Sequence, residues 1–322
     1  MAIGTAPGYN NLAEGNWVPE LFAAEAQLAL RENSVVQMVT NTDYYGQIAE
    51  SGNTVKILKE PNITVSSYVR GQKLSAQPLS DEEIVMRIDK ANSAVFALDD
   101  IEEKQSHIDY MSLSSNRMGF EVANTMDKEV LQYAADNAGT NVNGGETDYS
   151  FLKIGSTSAP IDLVLSGQDN DTSFSALSLL NRFSALLEEQ NVPSEERWFI
   201  GDPAFFEKLS DEDSKFLNAD FVGTTGRLET GKHYQGMARG FALYQSNNLP
   251  RGGAGPRGKS NSDYGVVLAG HRSAIATAEQ LNITETIRNN ESFGDICRSL
   301  HLYGRHILRE EALCAGIWHS AA

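Results

Sequence analysis

Gly253-Ala254-Gly255-Pro256-Arg257-Gly258-Lys259-Ser260 fits the phosphate-binding pattern G-x-x-x-x-G-K-[ST] letter for letter. Such a loop works by leaving a buried strand and opening a helix. Successive amides and the helix N-terminus then converge on the phosphates, with the lysine beside them. The surroundings do not supply this. The upstream strand candidate ends near Tyr244, and Asn247, Asn248 and Pro250 intervene. After Ser260 come Asn261, Ser262, Asp263, Tyr264 and Gly265, then β-formers, which is a poor helix start. No apolar run ending in Asp offers a magnesium partner. The match reads as part of a Gly-rich loop over 251–265.

Other chemistry-bearing residues are equally isolated. His301 and His306 lack the H-E-x-x-H context of a zinc enzyme. Asp169-Asn170-Asp171 resembles the opening of a calcium loop, but the later glycine and glutamate are missing. Cys297 and Cys314 have neither metal-type spacing nor a protease context, and read as buried reduced thiols. No G-x-S-x-G occurs. The acid pairs Asp99-Asp100 and Glu188-Glu189 are explained by helix caps and solvated helix faces. The expectation is a chain with no catalytic residue, no cofactor and no metal.

The elements point instead to unusual shape. Leu21 to Val36 is an amphipathic stretch behind Trp17-Val18-Pro19-Glu20, with Leu21, Leu28, Val35 and Val36 as its apolar residues. Gly52-Asn53 is a turn signal, Val55–Lys59 a strand, and Ile84–Asp89 alternates with Ile84, Met86 and Ile88 on one face. The polar stretch between those strands far exceeds the usual 2–5 residues of a hairpin loop. It suggests an arm ordered by something outside its own domain. Asp100 and Glu103 have capping-box spacing. Behind them Ile101, Ile108, Met111, Met118, Val122, Met126 and Tyr133 recur at helical intervals, until Asn137-Ala138-Gly139. A helix over 101–137 would be about 54 Å long, a strut rather than an ordinary globular helix.

Further along, Thr172–Gln190 predicts a helix, Arg197–Ile200 a strand, and Asp202-Pro203 a capped helix start. Met237–Tyr244, Val266–Ala269 and Ser299–Leu308 read as strands. This alternation gives α+β or α/β for the middle of the chain.

Composition fits a folded chain. Of 322 residues 41% are hydrophobic and 21% charged, with 43 acidic against 26 basic residues and a net charge of −17. That balance disfavours unspecific binding to a phosphate backbone. No apolar run is long enough to cross a bilayer, and the N-terminus lacks a secretion signal, so a soluble protein made inside a cell is expected.

Taken in order, these stretches resemble the major capsid proteins of tailed bacteriophages, with the Hong Kong 97-type fold. Gly52–Ile57 looks like the strand leading into that family's extended loop. Phe96-Ala97-Leu98-Asp99-Asp100-Ile101-Glu102 looks like the start of its long spine helix. Val192-Pro193 with Arg197–Pro203 is similar to the turn, strand and helix start of its axial domain. Gly236–Pro250 resembles its G-x-x-x-G-x-x-x-x-x-S-N-x-L-P stretch. Tyr303-Gly304-Arg305 with Arg309–Leu313 looks like a closing peripheral-domain strand.

The resemblance implies an α+β fold with an N-terminal arm over 1–50 and an extended loop over 51–95. A peripheral domain over 96–159 would contain the spine helix 101–137. An axial domain over 160–285 and a return to the peripheral domain over 286–322 would follow. It also implies hexamers and pentamers tiling an icosahedral shell around double-stranded DNA, in a virion made in the bacterial cytoplasm. Because Trp17-Val18-Pro19 comes so early, a separate scaffolding protein or a processed chain is implied. A portal and a decoration protein are the other partners the family brings. Some relatives join a Lys to an Asn between subunits. Lys56, Lys59 and Lys73 lie in the loop, but no positioned acid accompanies them. The rival readings are an encapsulin-like compartment and a P-loop ATPase.

Overall fold

The computed structural model describes residues 34–44, 54–59, 63–65, 67–73, 76–77, 83–105, 110–144, 147–164, 173–209, 234–252, 263–289 and 292–320. In chain order the strands are β1 Thr54–Leu58, β2 Glu83–Asp99, β3 Lys153–Ile154, β4 Ile161–Val164, β5 Ser173–Ser175 and β6 Arg197–Gly201. They continue with β7 Tyr234–Ala238, β8 Phe241–Gln245, β9 Gly265–His271, β10 Ile275–Arg288, β11 Gly294–Ile307 and β12 Leu313–Ser320. The helices are α1 Val36–Val39, α2 Asp100–Gln105, α3 Tyr110–Asn137, α4 Ala176–Glu189 and α5 Pro203–Leu209.

Two sheets organise these elements. One is antiparallel, in the order β1-β2-β11-β10, and is built on strands of 17, 14 and 14 residues, far longer than the usual 5–6. Alternation sorts its residues: Ile84, Met86 and Ile88 are buried on β2, and Cys297, Ser299, His301 and Tyr303 on β11. Helix α3 lies against β2 and β11. It buries Met118, Val122, Met126, Val130, Leu131 and Ala134, which share one helical face. None of its first eight positions is among the buried residues.

The second sheet follows β5-β4-β12-β9-β6-β8-β7, with β3 paired to β12. Every residue of β6 is buried, as befits a strand covered on both faces. Helices α4 and α5 supply Leu179, Leu180, Phe183, Leu187, Phe205 and Phe206 to the core beside it. Gly316 in β12 sits where any side chain would displace its core neighbours. A Cβ there would meet Phe183 Cζ at 2.9 Å and Val267 Cγ2 at 3.0 Å.

Capping chemistry sets several boundaries. Ser175 Oγ accepts from Ser178 N at 3.2 Å and starts α4. Asp202 Oδ1 accepts from Phe205 N at 2.9 Å and starts α5, with Pro203 first, as the sequence predicts. A more distant device locks three segments together. Asp127, in the middle of α3 and 0% exposed, accepts through Oδ1 from Ser34 Oγ at 2.7 Å, Val35 N at 2.8 Å and Val36 N at 2.9 Å. Its Oδ2 accepts from Asn248 Nδ2 at 2.8 Å. One carboxylate thus caps α1 and holds the turn after β8, which explains the asparagine of the Ser246–Pro250 stretch.

Several sequence expectations change. The helix expected over 101–137 is described as α2 and α3, with 106–109 outside the described residues. Its expected apolar Ile101 is 63% exposed. Asp99, not Asp100, receives the Ile101 amide at 2.8 Å, because the Asp100 carboxylate is taken by Arg288. The helix expected from Thr172 begins at Ala176, since Ser173–Ser175 pairs with β4. Met237–Tyr244 is a hairpin rather than one strand. Arg239 and Gly240 turn with φ of 51° and 82°, the left-handed pair that matches strand twist.

Sheet membership crosses the expected bounds. The loop expected over 51–95 projects only between β1 and β2, because β2 from Lys90 onward pairs with β11. β10 belongs to the long sheet although its start lies inside 160–285, and β12 joins the second sheet although it lies inside 286–322. Most of the N-terminal stretch 1–50, including Leu21 to Glu32, lies outside the described residues.

Candidate functional site: an exposed assembly surface

None of the sequence-level chemical candidates is assembled into a site among the described residues. Gly253–Ser260 and Asp169–Asp171 lie outside them. The described residues on either side of the former meet in a bridge between Arg251 and Gly265 at the start of β9. Among the described residues no group of three or more His, Cys, Asp or Glu can hold a metal ion. Cys297 and Cys314 are buried free thiols in different sheets, and burial pushes the Cys314 thiol up to about 12. Lys56 is ion-paired to Glu83 at 2.7 Å at the foot of the projecting loop. Glu188 accepts from Ser184 Oγ at 3.0 Å, a local helix contact.

His301 is 3% exposed, stacked on Tyr303 with ring centroids 5.1 Å apart, and its Nε2 is 3.7 Å from Glu279 Oε2. It borders a cavity of about 270 Å³ between α3 and the long sheet, with Val36, Gly119, Met126 and Ser299. Neither ring nitrogen has a hydrogen-bond partner. Tyr303 donates to Glu129, which Arg305 also approaches at 3.3 Å. Burial and that carboxylate push the Tyr303 phenol far above its ordinary value.

His271 and His306 are half-buried, and burial holds both imidazoles below the ordinary 6.5. His271 Nδ1 accepts from Ser273 N at 3.1 Å, a bond that needs this nitrogen unprotonated. The folded state therefore binds fewer protons than the unfolded state near that value. The stabilising contribution is full above about 6.5 and is lost as pH falls through the folded values. Urea midpoints are expected to drop on going from pH 7.5 to 5.5, and to drop less in His271→Asn. Equal slopes would reject the assignment.

What the molecule does present is apolar surface in unusual places. Leu58 at the end of β1 is 79% exposed, and in the projecting loop Val65 and Val69 are 92% and 65% exposed, joined by Ile63 and Tyr68. Gly71 turns its tip with φ 90°, where Gln72 N donates to Val69 O at 3.0 Å. On the long sheet the face away from α3 carries Val95, Ile283, Ile287 and Leu300, all exposed, and Phe293 at the β10–β11 turn is 80% exposed. Register shows these to be one face: Leu300 stands opposite Ile283, Ile296 opposite Ile287, and Arg298 between Val95 and Glu285. Extended apolar surface of this kind marks an interaction site. The alternating Ile283 and Ile287 were a readable signal for it in the sequence, missed because Glu285 and the threonines lower the apolar content.

Comparison with known proteins gives this surface its context. Residues 62–297 match the family model Gp10A-like, major capsid protein. A search of the curated proteins found no match. Among solved structures, one from Mycobacterium phage Che8 is 26% identical with a TM-score of 0.71, over 94% of this chain and 97% of that one. The capsid structure of cyanophage P-SCSP1u is 21% identical with a TM-score of 0.68, over 95% and 94%. The mature capsid of bacteriophage PhiM1 is 17% identical with a TM-score of 0.64, over 98% and 99%. The two less identical structures show the fold. Nothing among these matches supports a compartment shell or a P-loop ATPase. With the family model spanning most of its length and the fold repeated in phage shells, the chain belongs to the Gp10A-like major capsid proteins, and it is a phage shell subunit.

Proposed function

We propose that the subunit forms hexamers and pentamers that tile an icosahedral head around packaged double-stranded DNA. The loop between β1 and β2 lies across a neighbouring subunit. The observation that carries this reading is the loop itself, whose apolar side chains gain burial only when another molecule covers them. Folding of that segment is thereby coupled to association. The β1-β2-β11-β10 sheet with α3 serves as the peripheral domain and the second sheet as the axial domain. The partners are scaffolding protein and portal, and the chain works without catalysis, cofactor or metal after synthesis in the bacterial cytoplasm.

Co-expression with the scaffolding protein is expected to give closed shells in electron microscopy. A compact monomer under the same conditions, with 63–73 resistant to protease, would overturn the reading.

A further inference from the structure

Among the described residues the long sheet ends on one side in a strand with an open margin. β10 stands last in the order β1-β2-β11-β10, and every residue from Asn282 to Arg288 is exposed. In an antiparallel pair, part of each strand's backbone N–H and C=O groups points away from the partner. Among the described residues, those of 282–288 have no backbone partner beyond the β11 ladder. Natural sheets blunt such margins with proline, lysine or a bulge. Asn282-Ile283-Thr284-Glu285-Thr286-Ile287-Arg288 has no proline and no lysine, and the irregularity in its pairing falls earlier, between Glu279 and Leu281.

A matching half exists in the same chain. Ile63, Thr64, Val65, Tyr68 and Val69 are strand-forming residues that belong to no strand among the described residues. Val65 and Val69 are separated by the same interval as Ile283 and Ile287, so each pair lies on one face of an extended chain. Beyond Val69 the tip is basic, with exposed Arg70 and Lys73. The end of the sheet toward which β10 runs carries an excess of acid: Arg288 is ion-paired to Asp100 and Asp295, and Asp99, Glu102 and Glu103 stand beside them. A single subunit holds the two halves apart, because the loop springs from β1 and β2, at the margin opposite β10.

We propose that the loop of one subunit adds to β10 of the next as a parallel strand, Val65 beside Ile283 and Val69 beside Ile287. That direction points the tip, with Lys73 beyond the turn at Gly71, at the acidic end. The proposal rests on the reading that the loop lies on a neighbour and names where it lands. The contact joins unlike margins, so it passes from subunit to subunit until a ring closes.

The test is oxidative cross-linking of assembled shells carrying Val69→Cys and Ile287→Cys, resolved on a non-reducing denaturing gel. Covalent chains and rings of subunits are expected, and neither single variant should give them, since Cys297 and Cys314 are buried. Val65→Cys with Ile283→Cys is the second pair, used if the first does not assemble, with the same expected result. Maleimide labelling of Val65→Cys separates the two levels of the claim. If shells slow labelling at least tenfold but neither pair cross-links, the loop is covered elsewhere; strand addition is then wrong and the reading beneath it stands. If labelling is equally fast in free subunits and shells, both fall.

Discussion

Replacing Asp127 with alanine is expected to lower the unfolding free energy by about 3–5 kcal/mol, read as a shift of the urea midpoint of the free subunit. Hydrogen bonds to a charged group contribute roughly 1.5–3 kcal/mol each and do not add fully when they share an acceptor. Alanine would strand the buried amides of Val35 and Val36 and the amide of Asn248. The geometry also predicts a rescue. In Asp127→Asn, Oδ1 still serves Ser34, Val35 and Val36, but Nδ2 then faces the Asn248 amide donor. Adding Asn248→Asp restores an acceptor there, so the double variant should regain part of what Asp127→Asn loses. Additive losses would show that the two side chains do not meet.

Phe199→Ala should be comparably severe, at about 3–5 kcal/mol. Phe199 is 0% exposed at the centre of β6, with the rings of Phe183, Phe205, Phe206 and Phe241 at centroid distances of 6.2, 5.3, 6.5 and 6.4 Å. Those rings come from two helices and a neighbouring strand, so no single element can relax into the hole. Phe199→Leu keeps much of the volume and should recover more than half of the loss. A midpoint shift under about 1 kcal/mol for the alanine variant would mean the cluster repacks, contrary to the usual behaviour of dense cores.

How much of this was legible in the sequence depended on whether one element carried its own pattern. Ile84, Met86 and Ile88 alternate because one face of β2 is buried. Met118, Val122 and Met126 recur because one face of α3 is buried. Asp202-Pro203 starts α5 through contacts wholly inside the turn. The projecting loop was legible by its length, and its exposure follows.

Other elements depend on distant partners and left weaker marks. β10 is exposed over Asn282–Arg288, so its alternation is diluted by Thr284, Glu285 and Thr286. β12 is buried on both faces between β9, β3 and β4, and its nearly continuous apolar run gives no period to read. The Met237–Tyr244 hairpin turns on Arg239 in a left-handed conformation that nothing about arginine announces. Asp127 looks like one more solvated helix acid, because its partners lie 91 to 121 residues away. As for chemistry, the P-loop pattern at Gly253–Ser260 shows the limit of a string match without its strand and helix.

Burial of both cysteines has a consequence for the life of a particle outside its host. A shell exposed to air has no means of repair. Oxidation to disulfides or sulfenic acids proceeds through the accessible thiolate. Cys314 is closed off and strongly disfavoured as a thiolate, and Cys297 lies under α3's face of the long sheet. Ageing of the shell through these two sulfurs therefore has to wait for local unfolding, and reductant should make no difference to how long intact heads last.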